Sequence, residues 1–533
     1  MPEWRYEVGR LHRDGLTAGP CQGEPPNGDP ADDALDLASL GYRQSLDRRL
    51  GGFSSFAAGF SYISILTGVF QMFHVGWAAA GPAFFWTWPV VLLGQASIAL
   101  CLAELAARFP LSGGVYPWAR RIAGPAWGWA TGWVALGCGI VSLAAVALAL
   151  QTTLPQVAPW FQFVGDGGDD SANAKNAVIL GCSLIVASTL VNLAGVRVLA
   201  SINNLGVVIE LVGVSVLIAL LALRIKHGPA VLLEVRPASR TVSSLAALLA
   251  ASLASSYVLY GFDTAGSLAE ETVSPRLCAP RAILRALLAA GVAGGLLILF
   301  GLLSAADPLD PALGRIGGGL PYLVKGALGP ALGVPLLTAA VLAVCVCALA
   351  VQGGAARLVF AMARDGGLPF SGWLARVPEG TKAPAGPVLI VGVAAAGMLA
   401  ANINFPKVIE TVCAVAVVWA NLAYLMTTGA QLLGRLRGRE PGDAVSEGFF
   451  SMGRWGLMVN LAAVVWGVFV VVNTGWPRGE GQAAIERWFA SLATLSLIGV
   501  GILYHGVTRR GRIGVLAEHV AAGATAGLSQ GDS

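Results

Sequence analysis

The chain has 533 residues, of which 56% are hydrophobic and only 12% are charged. Ordinary globular proteins carry about 25% charged residues, so this composition excludes a string of soluble domains and predicts that most of the surface faces lipid. The net charge of +4 is too small to indicate a nucleic-acid partner, and no P-loop, dinucleotide-binding glycine motif or zinc-ligand spacing is present.

The first 52 residues form a polar tail, and we expect it to be disordered up to about Pro30. Because this tail lacks an apolar core region, we expect no cleavable secretory signal. Residues 34–49 allow two interpretations. They form either a short amphipathic helix on the inner membrane surface or part of a solvated tail.

The rest of the chain is dominated by long apolar segments. A membrane-spanning helix needs about 20 mostly apolar residues. By that measure the sequence predicts about twelve transmembrane helices, over residues 53–75, 83–107, 125–153, 177–196, 203–223, 244–268, 282–304, 333–356, 386–402, 408–432, 455–473 and 488–507. The predicted fold class is therefore an all-α integral membrane protein.

The distribution of Lys and Arg predicts the orientation of these spans, since short cytoplasmic loops are enriched in both. The basic clusters at 120–121, 276–281, 435–437 and 509–512 all fall on one side, and the acidic stretch 166–170 falls on the other. We therefore place both termini, including the tail 508–533, in the cytoplasm, with the plasma membrane as the expected location. The connections are too short for a soluble catalytic domain.

Two spans carry glycine and polar residues at depths that lipid would not tolerate. They are Ser64, Thr67 and Gly68 within 63–70, and Gly261, Asp263 and Gly266 within 259–271. Glycine favours interruption of a helix, and a broken backbone is tolerated in the membrane only where it borders a protein cavity. The alternative is that these glycines only permit close helix packing.

Interrupted spans at matching positions, one and six, are typical of transporters built from inverted repeats. The core would be 53–432, with repeats 53–223 and 244–432, and the spans within 455–507 would be appended. An unwound helix exposes backbone N–H groups at one new end and C=O groups at the other. These groups can bind the carboxylate and the amine of a small zwitterion.

Four segments carry a resemblance to a known family. They are LGYRQSLDRRLGGFSSF (40–56) followed by ISILTGVF (63–70), AELAARFPLSGGVYPWA (103–119), GFDTAGSLAEETVSPRLCAPRAI (261–283) and RLVFAMARDGGLPFS (357–371). In this order and spacing they resemble the amino acid–polyamine–organocation (APC) superfamily, and the first resembles its amino acid/choline branch. The resemblance covers about residues 40–510. It implies a five-plus-five inverted repeat, secondary active transport and an amine-bearing substrate.

The resemblance also implies substrate-binding positions. The glycine-rich turn of the family's first span falls on Leu66, Thr67 and Gly68, where Leu66 replaces a glycine and changes the shape of the expected carboxylate site. Tyr257 and Tyr260 would face the pocket from span six, three residues apart on one helix face. There they would suit cation–π contact with an ammonium group. Ordinary packing is the alternative for both tyrosines.

Two buried carboxylates need an explanation, because an unpaired charge in the membrane is costly. Glu210 lies where some family members carry a lysine proposed as a proton site. It would either bind the coupling proton or hydrogen-bond a neighbouring helix, for instance at the break in span one. Asp263 would either cap the second half of span six, which we favour, or bind the substrate amine.

Three further acids, Glu104, Glu270 and Glu271, lie near the inner ends of spans two and six. We expect them to pair with inner arginines such as Arg120, Arg121 or Arg364. These pairs would form either an inner gate or interface charges without a gating role.

The sequence thus predicts a permease, not an enzyme, that carries an amino acid or related amine by proton-coupled symport or exchange. It requires no cofactor or metal. One alternative is a choline, ethanolamine or polyamine carrier on the same fold. A second is an amino acid sensor that does not transport, and a membrane-embedded enzyme is disfavoured because no serine has a histidine within plausible reach.

Overall fold

The computed structural model describes residues 30–508 except 43, 47, 49, 237–241, 379–382, 406, 439–448 and 479–486. Most of the N-terminal tail and residues 509–533 of the C-terminal tail lie outside these residues. The α-helices within them are α1 Pro30–Ser39, α2 Gly52–Ile63, α3 Ile65–Ala80, α4 Thr87–Arg108, α5 Val115–Ala123, α6 Pro125–Leu148, α7 Leu150–Val157, α8 Asp170–Leu193, α9 Val196–Ala222, α10 Ser244–Val258, α11 Thr264–Ser267, α12 Pro275–Ser304, α13 Gly319–Leu328, α14 Pro330–Arg364, α15 Ser371–Leu374, α16 Ala385–Ala401, α17 Val408–Leu436, α18 Gly456–Gly475 and α19 Phe489–Thr508.

The described helices account for all twelve predicted spans. Within the described residues, nine helical stretches are long and apolar enough to cross a membrane. The first of them, Gly52–Arg108, has 57 residues, or roughly 85 Å of helix, and therefore contains spans one and two. The shorter apolar helices Ser244–Val258 and Ala385–Ala401 occupy spans six and nine. The protein is an all-α integral membrane protein.

Each of several helix–helix contacts in the core has a counterpart between the corresponding helices of the other repeat. Helix α2 packs on α12 as α10 packs on α4, and α6 packs on α17 as α14 packs on α9. In the same way, the contact of α2 with α9 matches that of α10 with α17, and the contact of α6 with α8 matches that of α14 with α16. This pairing is what a five-plus-five inverted repeat requires, while α18 packs outside the repeats on α17 and α4.

Span one is broken at a single residue. Ser64 has φ 34° and ψ 99° and separates α2 from α3. Span six is broken over a longer stretch, from the end of α10 at Val258 to the start of α11 at Thr264. Gly261, in the middle of that stretch, has φ 93°, a conformation that glycine adopts readily. Both predicted interruptions are confirmed.

The N-terminal segment follows the helical interpretation of residues 34–49 only in part. Helix α1 includes residues 34–39 and ends at Ser39, so the expected helix is wrong for the described residues that follow. The side chains of Tyr42, Leu46 and Leu50 are buried, and Leu50 forms an isolated parallel bridge with Thr272. This segment, which we call the N-terminal strap (the described residues of 40–50), thus packs across the end of the core that carries α5.

Candidate functional site

The break in span one is held by a carboxylate from another helix. Glu210, in the middle of α9, accepts a hydrogen bond from the Leu66 backbone N–H at 3.0 Å and another from the Ser64 hydroxyl at 2.9 Å. The Thr67 N–H points to the Ser64 Oγ at 3.4 Å, and the Gly68 N–H donates to the Ser64 carbonyl at 2.9 Å. The first-turn N–H groups of α3 at positions 66–68 therefore all have partners inside the protein.

Residues next to this break pack tightly against the other broken span. A Cβ atom on Gly68 would lie 2.8 Å from the Val258 Cγ2 atom, at the end of α10. Leu66, where the family pattern has glycine, is buried. Gly68 therefore serves close helix packing, the alternative considered for the glycines, while the break itself lies at Ser64.

The break in span six is bridged by a tyrosine from α17. The Tyr424 hydroxyl accepts a hydrogen bond from the Gly261 N–H at 3.0 Å and donates one to the Asp263 carboxylate. Asp263 occupies the N-cap position of α11, but its side chain makes no capping hydrogen bond there. The predicted capping role of Asp263 is therefore wrong, and its carboxylate is oriented by Tyr424 instead.

The two predicted pocket tyrosines have different surroundings. The Tyr260 hydroxyl lies 2.9 Å from the Ser142 Oγ, and its ring makes an edge contact with Tyr62. The Tyr257 hydroxyl donates to the Gln71 side-chain oxygen at 3.0 Å. Tyr260 borders a small cavity beside the break in span six, whereas Tyr257 is not among the residues that line this cavity.

A small cavity lies beside the break in span six. Its volume is about 60 Å³, room for only a few water molecules. The rings of Tyr62, Tyr260 and Tyr424 border it, as do the backbones of Gly113 and Gly354. Among the described residues that line it, Asp263 is the only one with a charged side chain. The cavity thus combines aromatic faces with one acidic group.

The three predicted gate acids all form ion pairs at the end of the core that carries α5. Glu270 makes two hydrogen bonds of 2.9 Å to Arg364, as predicted for that arginine. Glu271 binds Arg357 at 2.9 and 3.1 Å. These four residues join the end of span six to the end of α14.

Glu104 forms a third cluster, at the end of α4. Its carboxylate binds Arg108 at 3.0 Å and also contacts Arg435 and Gln431 of α17. It therefore ties span two to span ten.

Arg120 and Arg121 have other partners than the predicted glutamates. Arg120 pairs with Asp365 after α14, which also accepts a hydrogen bond of 2.7 Å from Tyr116. Arg121 donates to the Leu40 carbonyl in the strap. Tyr42 of the strap hydrogen-bonds to Asp365 as well, and burial, together with the Asp365 charge, raises the pKa of Tyr42 to about 12. Tyr42 therefore remains protonated at neutral pH.

Sequence reasoning missed several residues at these sites. Tyr424 is the most important, because its hydroxyl forms hydrogen bonds with both Gly261 and Asp263. Arg357 carries a charge within an otherwise apolar span, a signal that intramembrane ionisable residues give in general. Tyr62 and Ser142 gave no signal of this kind, since single polar residues are frequent in packed membrane helices.

Comparison with known proteins adds to this geometry. A family model described as amino acid permease matches residues 50–502. The chain is 26% identical over 498 residues to amino-acid permease BAT1 of Arabidopsis thaliana, covering 88% of this chain and 93% of that protein. It is 25% identical over 463 residues to the BAT1 homolog of Oryza sativa subsp. japonica, covering 83% and 87%. The crystal structure of MhsT in complex with L-phenylalanine has a similar fold, with a TM-score of 0.55 at 13% identity, and the match covers 80% of this chain and 98% of that one.

Proposed function

The chain belongs to the amino acid permease family, and from this premise we propose that it is a secondary transporter. It moves an amino acid or a related amine across the plasma membrane by alternating access, and it catalyses no covalent reaction. The observation that carries the proposal is the pair of broken spans, one and six, with a cavity at the second break. Irregular backbone at membrane depth is tolerated where it borders such a cavity.

The substrate amine is bound next to Asp263. This carboxylate borders the cavity, and the rings of Tyr62, Tyr260 and Tyr424 surround it. A carboxylate pairs with an ammonium group, and tyrosine faces attract cations through their quadrupoles. The C-terminal ends of α2 and α10 lie at the two breaks, and their dipoles favour a positive charge in the same place.

The ion pairs at the α5 end of the core form the inner gate. Glu270 with Arg364 and Glu271 with Arg357 join span six to span eight. The basic loops at this end support its assignment to the cytoplasmic side. Rocking of one helix group against the other separates these pairs and opens the cavity to the cytoplasm.

Glu210 couples transport to the proton gradient. It is a buried carboxyl that touches the broken backbone directly, through Leu66 and Ser64. Protonation removes the charge that holds these two donors and so loosens the break. A proton taken up on one side is thereby linked to the conformational change.

The test is uptake by the purified full chain in proteoliposomes. A panel of radiolabelled amino acids and amines is offered with and without an imposed pH gradient. We expect accumulation of at least one amine-bearing compound, increased by acid on the side from which it enters. Binding without accumulation would identify a sensor instead, and no binding of any compound would refute the transport proposal.

A further inference from the structure

Three backbone N–H groups at the two breaks that could bind a substrate carboxylate already have partners inside the protein. At the first break, the Leu66 N–H donates to Glu210 and the Thr67 N–H points to Ser64. At the second break, the Gly261 N–H donates to the Tyr424 hydroxyl. A carboxylate loses its hydration in the membrane only where hydrogen-bond donors replace the water. These N–H groups are therefore not available to a substrate carboxylate.

The occupant of the first break is itself a carboxylate. The Glu210 Oε1 atom lies 3.0 Å from the Leu66 nitrogen and 2.9 Å from the Ser64 hydroxyl oxygen, which are ordinary hydrogen-bond lengths. The Glu210 side chain is 1% exposed, so solvent does not compete for it. Helix α9 thus supplies a carboxylate at the N-terminal end of α3, where the helix dipole favours a negative charge.

The charge around the cavity favours a bound cation and disfavours a substrate carboxylate. Among the described residues that line the cavity, none is lysine or arginine, and the one acid is Asp263. Bringing a further carboxylate next to Glu210 would place two like charges in a low-dielectric site, which is strongly unfavourable unless one of them is protonated.

We propose that Glu210 is a selectivity residue whose carboxylate takes the place of a substrate carboxylate, so that the site admits amines without a neighbouring carboxylate and discriminates against α-amino acids. This inference rests on the proposed transport function and specifies its substrate class. Glu210 acts by position, through the donors it occupies, and does not itself contact the substrate amine.

The experiment compares matched pairs that differ only in the carboxylate. The pairs are L-ornithine and putrescine, L-arginine and agmatine, L-phenylalanine and phenethylamine, and L-serine and ethanolamine. Binding to the purified full chain is measured by ligand-dependent thermal stabilisation and by competition for uptake in proteoliposomes. For each pair that binds, we expect the decarboxylated member to bind at least about tenfold tighter.

Three variants test the role of Glu210 itself. Glu210→Ala frees the Leu66 N–H, so we expect the amino acid of the pair to gain at least about tenfold relative to the amine. Glu210→Gln keeps an oxygen acceptor at the same position, so the amine is expected to stay preferred. Ser64→Ala removes one donor to Glu210 and should shift the ratio in the same direction as Glu210→Ala, but less. It serves as the second test if Glu210→Ala does not fold.

The outcomes separate this inference from the proposed function. If the wild-type protein binds the amino acids tighter than the amines, the selectivity role of Glu210 is refuted while transport stands. An unchanged ratio in both Glu210→Ala and Ser64→Ala refutes it as well. If no member of any pair binds or moves, the proposed function fails first.

Discussion

In both broken spans a side chain from another helix hydrogen-bonds the interrupted backbone, but the chemical group differs. In span one the interruption is a single residue, Ser64, and a carboxylate from α9 holds it. In span six the interruption runs over five residues, and the phenol of Tyr424 from α17 holds it. Helices α9 and α17 are the last helices of their repeats and contact their broken partners in matching ways. The inverted repeat thus fixes the helix that supports each break and leaves the supporting group free to vary.

The largest effect is expected at the break in span six. In Gly261→Ala, the new Cβ would lie 2.0 Å from the Tyr62 Cδ1 atom, at φ 93°. Both the clash and the backbone conformation are unfavourable, the latter by about 1–3 kcal/mol. We expect loss of uptake and a lower melting temperature of the purified protein. Gly397→Ala is the control, because an added Cβ there would lie more than 4 Å from the described residues outside its own helix turn. Equal behaviour of the two variants would contradict the role of Gly261.

Blocking the break in span one should also stop transport. Thr67 is 2% exposed, and its hydroxyl lies 2.6 Å from the Ser64 hydroxyl. Thr67→Trp overfills this closely packed space, so we expect insertion into the membrane without uptake. Thr338→Trp, on an exposed face of α14, serves as control. Normal uptake by Thr67→Trp would refute the assignment of this site.

Removing one hydroxyl tests the support of the second break. Tyr424→Phe leaves the Gly261 N–H and the Asp263 carboxylate without their shared partner, which costs about 1–3 kcal/mol. We expect uptake to fall roughly tenfold while the protein stays folded. Tyr322→Phe removes a comparable hydroxyl that donates to Asp310 at an exposed site. A Tyr424→Phe variant as active as Tyr322→Phe would show that the bridge is dispensable.

The smallest change tests the support of the first break. Glu210→Gln keeps the shape of the side chain and an oxygen acceptor but cannot exchange a proton, so we expect uptake to continue without stimulation by acid. The measurement is the initial uptake rate across a series of imposed pH gradients. Glu410→Gln, at the start of α17, is the control. Acid stimulation that persists in Glu210→Gln would reduce Glu210 to a structural and selectivity residue.

The sequence predicted the positions of the two interruptions because polar residues are rare in segments that lie within the membrane. Ser64 and Gly261 both lie in segments otherwise apolar enough to span the membrane, and their matching positions in spans one and six favoured broken helices over close packing. The number of spans followed from the same cause. The boundaries of the predicted domains remain predictions, since helix contacts support the repeat without fixing its ends.

The partners of these residues depend on contacts far apart in the chain. Tyr424 lies 163 residues from Gly261, and no local pattern marks a tyrosine in α17 as the group that bridges a break in span six. For the same reason the sequence predicted the wrong role for Asp263 and the wrong partners for Arg120 and Arg121. Hydrophobic burial in the membrane is a property of each segment by itself, so the sequence determined the spans and their interruptions. Hydrogen bonds and ion pairs need two groups at matched distance and direction, so only the tertiary structure decided which side chain supports each break.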